Sequence, residues 1–177
     1  MTGATGGVGS LAVAMLAKAG FQATAATGKL GETDYLKSLG AAEVIERAAV
    51  TEGSERPMMK TKWAGVVDCV GGETLSAALK STNYCGTVTC CGLVGSPELS
   101  VNVFPFILRG VRLVGIDSVE APMASRLKVW QKMASDWKLD NMEAMVDEIT
   151  LDGLEEKIQL ILKGGLKRRA LINLLES

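Results

Sequence analysis

Histidine is absent from the 177 residues. Without an imidazole the chain cannot build a Ser-His-Asp triad, a Cys-His pair or a His-Glu-x-x-His zinc site, so any acid–base step must use other groups. Cysteine is sparse: Cys69, Cys85, Cys90 and Cys91, with no Cys-x-x-Cys among them. Adjacent Cys90 and Cys91 would point to opposite faces of a strand. The four are therefore expected to be small buried hydrophobes rather than a redox pair or a metal site. No apolar run reaches about 18 residues free of charge, which argues against a membrane span. There is no basic block and the net charge is −1, so nucleic acid is not expected as a main partner. No secretory leader is visible, and the expected setting is cytoplasmic.

The chain does have apolar residues and glycine. Hydrophobic residues make up 47% against 22% charged, a balance that folds rather than stays disordered. The segment Thr2-Gly3-Ala4-Thr5-Gly6-Gly7-Val8-Gly9 opens onto an apolar helical pattern over residues 11–19, stopped by Gly20. A glycine turn feeding a helix offers a phosphate the backbone N–H groups and the positive end of the helix. Because the turn begins at residue 2, the strand leading into it is expected to be largely missing, and the chain reads as the back half of a larger enzyme.

Beyond the turn, strand and helix signals alternate. Strands are expected over 21–26, 43–45, 63–70, 87–93 and 111–117, and helices over 32–39 and 73–81, with a loop over 51–62. The continuous apolar runs at 63–70 and 87–93 suit strands buried on both faces. This rhythm implies a parallel sheet with helices on both sides and ligands at the carboxyl ends of the strands. After residue 118 the rhythm breaks. Residues 123–137 read as an amphipathic helix whose Leu127, Trp130, Ala134 and Trp137 stripe is expected to pack in a core. Strand-like segments at 148–151 and 170–174 flank a helix over 154–162, closed by Gly164-Gly165.

The glycine turn fits three fingerprints. As Gly-x-Gly-x-x-Gly it uses Ala4, Gly6 and Gly9, with alanine at the first position. As Thr-Gly-x-x-x-Gly-x-Gly it uses Gly3, Gly7 and Gly9, and as Gly-x-x-Gly-x-x-Gly it uses Gly3, Gly6 and Gly9. It is not a Walker A loop, since no Gly-Lys-Ser/Thr follows. The Tyr-x-x-x-Lys pair of classical short-chain dehydrogenases is missing, because Leu39 follows Tyr35 and Val88 follows Tyr84 at that spacing. About twenty residues after the turn, where NAD binders place an acid on the ribose, stands Thr27-Gly28-Lys29. A hydroxyl, a glycine and a cation suit a 2′-phosphate, favouring NADPH over NADH, and Arg47 offers a second cation.

With those residues in place, the chain resembles the zinc-free medium-chain dehydrogenase/reductases, and within them the quinone oxidoreductase-like YhdH/AcuI branch that includes acrylyl-CoA reductases. The likeness rests on Thr2 to Gly9, Tyr35-Leu36-Lys37-Ser38-Leu39-Gly40-Ala41, Trp63-Ala64-Gly65, Asp68, Asn83-Tyr84-Cys85-Gly86 and Cys91-Gly92-Leu93. Pro105-Phe106-Ile107-Leu108-Arg109 and Gly115-Ile116-Asp117-Ser118 complete it. The resemblance implies that Thr5, Gly6, Gly7 and Val8 line the pyrophosphate of NADP and that Thr27, Gly28 and Lys29 meet its 2′-phosphate. Tyr35 and Arg47 would help at the adenosine end. Leu93, Ile107 and Ser118 would lie along the nicotinamide, and Asn173 would reach the cofactor from the tail. In this chain Lys167-Arg168-Arg169 replaces the glycine-arginine often found before the last strand. No catalytic residue is assigned, and no metal is expected.

The implied fold is a Rossmann-type doubly wound parallel sheet over residues 1–118, with its first strand largely missing. Residues 119–177 would be a C-terminal remnant of the GroES-like catalytic domain. The implied function is the NADPH-binding part of a zinc-independent oxidoreductase that transfers hydride to an activated alkene, such as acrylyl-CoA or a quinone-like enone. The isolated chain is expected to be inactive, and a homodimer through the sheet edge is expected. Two other readings stand beside it: a non-catalytic NADPH-binding and dimerisation module, and an atypical short-chain reductase-like NADP sensor. The irregular tail speaks against the sensor, which should continue with further βα units.

Overall fold

The computed structural model describes residues 1–140 and 142–175. Helix α1 (Gly7–Lys18) is followed by strand β1 (Thr24–Thr27), a 3-10 turn at Leu30–Glu32, α2 (Thr33–Ser38), β2 (Glu43–Glu46) and α3 (Ala48–Thr51). Then come β3 (Trp63–Asp68), α4 (Gly72–Ser81), β4 (Thr82–Cys90), α5 (Phe104–Arg109) and β5 (Arg112–Gly115). The remaining elements are α6 (Met123–Ala134), β6 (Val146–Ile149), α7 (Leu154–Leu162) and β7 (Arg169–Ile172).

Every strand pair is parallel: β1 with β2, β3 with β4, β4 with β5, and β6 with β7. Residues 1–4 join the first two groups. Thr2 bridges Ala26 of β1, and its N–H donates to the Val67 carbonyl of β3 at 3.1 Å. The order is therefore β2–β1–(1–4)–β3–β4–β5, a parallel α/β arrangement of Rossmann type, with residues 1–4 in the position of the first strand. Helices cover both faces, as successive residues of β1 show. Ala25 packs with Val13, Tyr35 and Leu36 of α1 and α2, while its neighbour Ala26 packs with Val50 of α3 and Ala77 of α4. Side chains alternate across a strand, so two adjacent buried alanines require a layer on each side. A third cluster joins Val66, Leu75, Leu79, Val88 and Val111 around β3, β4 and α4.

Several expectations need correcting. Helix α1 starts at Gly7, inside the glycine turn rather than after it, because Gly6 in extended conformation serves as its N-cap. Helices α3 and α5 were not expected. Helix α5 has Pro105 at its start, where a missing N–H is harmless. It delivers Arg109, whose guanidinium donates to the carbonyls of Met59 and Lys80, each at 2.9 Å. Strand β3 is not buried along its whole length, since Ala64 and Gly65 are exposed. Strand β4 begins earlier than expected, and its register with β3 slips between Trp63 and Gly65, around Cys85, whose φ is +58°. The cysteines are not uniformly buried: Cys85 and Cys91 are exposed, and Cys69 and Cys90 are half-buried. The aromatic stripe of α6 does not enter a core. Leu127 and Trp130 are 53% and 63% exposed, and the helix has no buried residue. Trp137 instead carries the Lys132 ammonium 4.3 Å above its ring.

Candidate functional site

The site begins where the sheet changes direction, at the turn between residues 1–4 and α1. Gly3 sits at φ +62°, a left-handed conformation that suits glycine. A Cβ on Gly9 would lie 2.1 Å from the Gly3 carbonyl oxygen and 2.8 Å from the Ala4 Cα, so the helix can settle on the turn only with glycine there. Gly6 differs: a Cβ there would meet only the Gly3 oxygen, at 3.5 Å. The fingerprint positions thus divide into Gly3 and Gly9, which build the turn, and Gly6, which keeps its outer side clear. Helix α1 has no side-chain cap and no acid in its first turn, so its first N–H groups and its positive end are available to an anion.

Thr5 links this turn to the next strand. Its hydroxyl lies 3.2 Å from that of Thr27 at the end of β1, and both residues are buried. The Lys29 N–H donates to Thr27 Oγ1 at 3.0 Å, and the Arg47 N–H donates to the Thr27 carbonyl at 2.8 Å. Gly28 leaves room for the arginine, since a Cβ there would stand 3.0 Å from Arg47 Nη2. Burial first, and then the Arg47 guanidinium, hold the Lys29 ammonium below its ordinary value; Lys167 adds to this and Glu32 opposes it. Thr27, Gly28, Lys29 and Arg47 are therefore one cluster, reached from the turn through Thr5. Tyr35 lies beneath it in the α1–α2 core. Its hydroxyl has no partner among the described residues, and the Arg168 guanidinium lies 4.9 Å from its ring centre.

The tail contributes side chains that the sequence reading did not assign. Arg168 forms a parallel bridge with Gly6, and its N–H donates to the Thr5 carbonyl at 3.0 Å. Arg169 Nη2 donates to the Gly7 carbonyl at 3.3 Å, which sets its guanidinium against the glycine turn. Lys29 Nζ donates to the Leu166 carbonyl at 2.6 Å, and Lys167 Nζ pairs with Glu32 Oε1 at 2.8 Å. The signal was the run Lys167-Arg168-Arg169. Its proximity to residues more than a hundred positions earlier could not be read from spacing.

The remaining expected residues are more dispersed. Leu93 is exposed and lines a cavity of about 470 Å³ with Gly71, Gly72, Cys91, Gly92 and Ile116, at the carboxyl ends of β4 and β5 and the start of α4. Asp68, fully buried, holds this corner to the turn. Its carboxylate accepts from Thr2 Oγ1 at 2.6 Å and from the N–H groups of Val70 and Gly71 at 3.2 and 2.7 Å. Ile107 is exposed on α5 and Ser118 follows β5; neither lines that cavity. The Asn173 side chain donates to Glu148 Oε1 at 2.8 Å, across the β6–β7 pair. Among the described residues no group of three or more His, Cys, Asp or Glu side chains is gathered for a metal. No described helix is long and apolar enough to cross a membrane.

Known proteins resemble the chain over nearly all of its length. The zinc-binding dehydrogenase family matches residues 7–135. Acrylyl-CoA reductase AcuI of Ruegeria pomeroyi is 43% identical over 173 residues, which cover 98% of this chain and 52% of that protein. The crystal structure of Bacillus subtilis YhfP with NAD bound superposes with a TM-score of 0.92 at 45% identity, covering 98% of this chain and 53% of that one. That of the Salmonella enterica yhdH oxidoreductase in complex with NADP also gives 0.92, at 40% identity, with the same 98% and 53% coverage. The chain thus spans about half the length of these relatives. It belongs to the medium-chain dehydrogenase/reductase superfamily, within the group of the quinone oxidoreductases and acrylyl-CoA reductases, and corresponds to their nucleotide-binding half.

Proposed function

We propose that this chain is the NADPH-binding part of a zinc-independent oxidoreductase whose substrate is an activated alkene, an enone or an enoyl thioester. The observation that carries the reading is the continuity of two anion-receptive corners. The uncapped start of α1 above Gly6 and Gly7 is tied through the Thr5–Thr27 hydroxyl contact to the cations Lys29 and Arg47 around Gly28. A dinucleotide carrying a 2′-phosphate has one anionic group for each corner. Arg169 would add charge at the pyrophosphate and Lys167 at the 2′-phosphate.

On this reading the pyrophosphate rests on the turn over Thr5 and Gly6 and is oriented by the amides of Gly7 and Val8 at the start of α1, and Thr27, Gly28 and Lys29 select the phosphorylated ribose. Tyr35 and Arg47 support the adenosine end. Leu93 would lie along the nicotinamide beside the cavity, with Ile107 and Ser118 further out and Asn173 approaching from the tail. When bound, the nicotinamide supplies a hydride for the β-carbon of the alkene. Residues 1–118 would be the binding domain, and residues 119–177 the segment that completes a GroES-like catalytic domain. The apolar face of α6 suits that role, since it is exposed here. Substrate positioning would then depend on the half of the relatives' length that this chain does not span, and the chain alone should show little turnover. The edge strand β5 is exposed along its length, with Leu113 and Val114 uncovered, and would pair with a second copy. That same edge favours a second reading, a binding and dimerising module without chemistry.

Calorimetric titration with NADPH and NADH, each with and without acrylyl-CoA, tests the proposal. Tighter binding of NADPH than of NADH is expected, and equal affinity would remove the role given to Lys29. Steady NADPH oxidation by the chain alone would overturn its dependence on a second domain, and a monomer by light scattering would overturn the edge pairing.

A further inference from the structure

Cys69 and Cys91 sit at equivalent heights on neighbouring strands, each one residue beyond the paired Asp68 and Cys90 of β3 and β4. Their sulfurs are 3.4 Å apart. Nothing in the reading above uses either thiol. Cys91 is exposed and borders the 470 Å³ cavity, while Cys69 is half-buried beside the glycine turn. The backbone holds both in place: the Cys69 N–H donates to Thr2 Oγ1 at 3.1 Å, and the Cys91 N–H donates to the Asp68 carbonyl at 2.9 Å. The next residue, Gly92, rests directly on this corner, since a Cβ there would stand 2.4 Å from the Cys69 carbonyl oxygen. Disulfide sulfurs lie about 2.0 Å apart, so closure asks for an approach of little more than an ångström. The Cys91 thiol also reaches the Asp68 carbonyl of β3, at 3.3 Å.

We propose that Cys69 and Cys91 form a reversible disulfide when the protein meets hydrogen peroxide, and that this bond brakes coenzyme binding at the nicotinamide end of the site. The braking part rests on the coenzyme placement proposed above; the thiol pairing does not. The Cys91 thiolate attacks a peroxide oxygen, the O–O bond breaks, and Cys91 becomes a sulfenic acid as one water leaves. The Cys69 sulfur then attacks the Cys91 sulfur and the S–O bond breaks. The Cys69 proton leaves with the departing hydroxide as a second water. Two thiols lose two electrons and two protons, and the peroxide takes up both. The order follows from the surroundings. Burial, then Cys91 as hydrogen-bond partner and neighbouring charge, push the Cys69 thiol up to about 12, so the exposed Cys91 reacts first. Oxidation of Cys91 then removes its own part in holding the Cys69 proton. Drawing Cys91 toward Cys69 moves Gly92 and Leu93, which form one wall of the cavity.

The full chain, reduced and then treated with hydrogen peroxide, is digested without reductant and mapped by mass spectrometry, and NADPH affinity is measured before oxidation, after it, and after dithiothreitol. A Cys69–Cys91 cross-linked peptide is expected, with NADPH affinity lowered on the order of 10-fold and restored by the reductant. Cys91→Ser should abolish both effects, Cys69→Ser should leave Cys91 trapped as sulfenic or sulfinic acid, and Cys85→Ser should change neither. A cross-link through Cys85 or Cys90, or over-oxidation of Cys91 with Cys69 intact, would overturn the pairing. Equal NADPH affinity in the reduced and cross-linked chains would overturn the brake. A reduced chain that binds no NADPH would instead remove the coenzyme placement.

Discussion

Residues 1–118 and the tail from 119 onward are held by different forces. In the first region the apolar pattern finds its partners inside the chain: Val13, Leu36, Leu79 and Val88 are fully buried, and β1 is covered on both faces. In the tail, α6 and α7 contain no buried residue, and Met145 is the only buried side chain among the described residues. The tail is fastened by polar contacts, most of them near the glycine turn: the Arg168 N–H on Thr5, Arg169 on Gly7, Lys29 on Leu166, Lys167 on Glu32 and Lys18 on Asp140. Its apolar anchor is small: Met145 and the half-buried Leu139 join the core around Val13 and Leu36. Burial of apolar area is the larger stabilising force, and exposed ion pairs contribute little. The first region therefore carries the stability of the fold. The tail brings cations to a site that the first region shapes.

Substitutions can break this contrast, starting with the largest expected effect. Leu79→Ala should lower unfolding free energy by about 2–5 kcal/mol in urea titrations, while Leu127→Ala on α6 should stay within about 0.5 kcal/mol. Comparable losses at the two positions would mean that α6 packs against something in solution. Gly9→Ala forces a methyl into the Gly3 carbonyl and should cost about 1–3 kcal/mol together with nucleotide affinity. Gly6→Ala has room for its methyl, so thermal unfolding should hardly move while NADPH binding weakens.

Smaller effects separate the cations. Lys29→Ala should weaken NADPH by about 1.5–3 kcal/mol in calorimetry and leave NADH nearly unchanged. Because the Lys29 ammonium is held below its ordinary value, it loses its charge earlier as pH rises. NADPH affinity should therefore decline as pH climbs through that lowered value, below 10.5. Lys29→Arg keeps its charge throughout and should flatten this part of the profile. Arg169→Ala should weaken NADPH and NADH alike, by about 1 kcal/mol, since its guanidinium lies by the turn rather than by Gly28.

The parts of this molecule that were legible in the sequence are those fixed by short-range rules. The glycine turn announces a tight turn into a helix because Gly3 and Gly9 answer local steric demands, and the helix expected over about 154–162 is α7. The strands expected at 43–45 and 111–117 match β2 and β5 to within a few residues. What stayed hidden depends on contacts distant in sequence. The Trp130 stripe has the spacing of a core helix, yet spacing cannot say whether a partner surface is present. The approach of Cys69 to Cys91 follows from the β3–β4 register, which slips near Cys85 and is not written in either strand alone. Arg169 reaches Gly7 only because the tail returns to the turn.

The most direct test is an amide-resolved NMR titration of the reduced chain with NADPH. Saturable shifts at Gly6, Gly7, Val8, Gly28 and Lys29 are expected, with the Gly28 and Lys29 shifts lost when NADH replaces NADPH. Shifts confined to other residues, or none at millimolar NADPH in a folded chain, would contradict the placement of the nucleotide on the glycine turn and its cations.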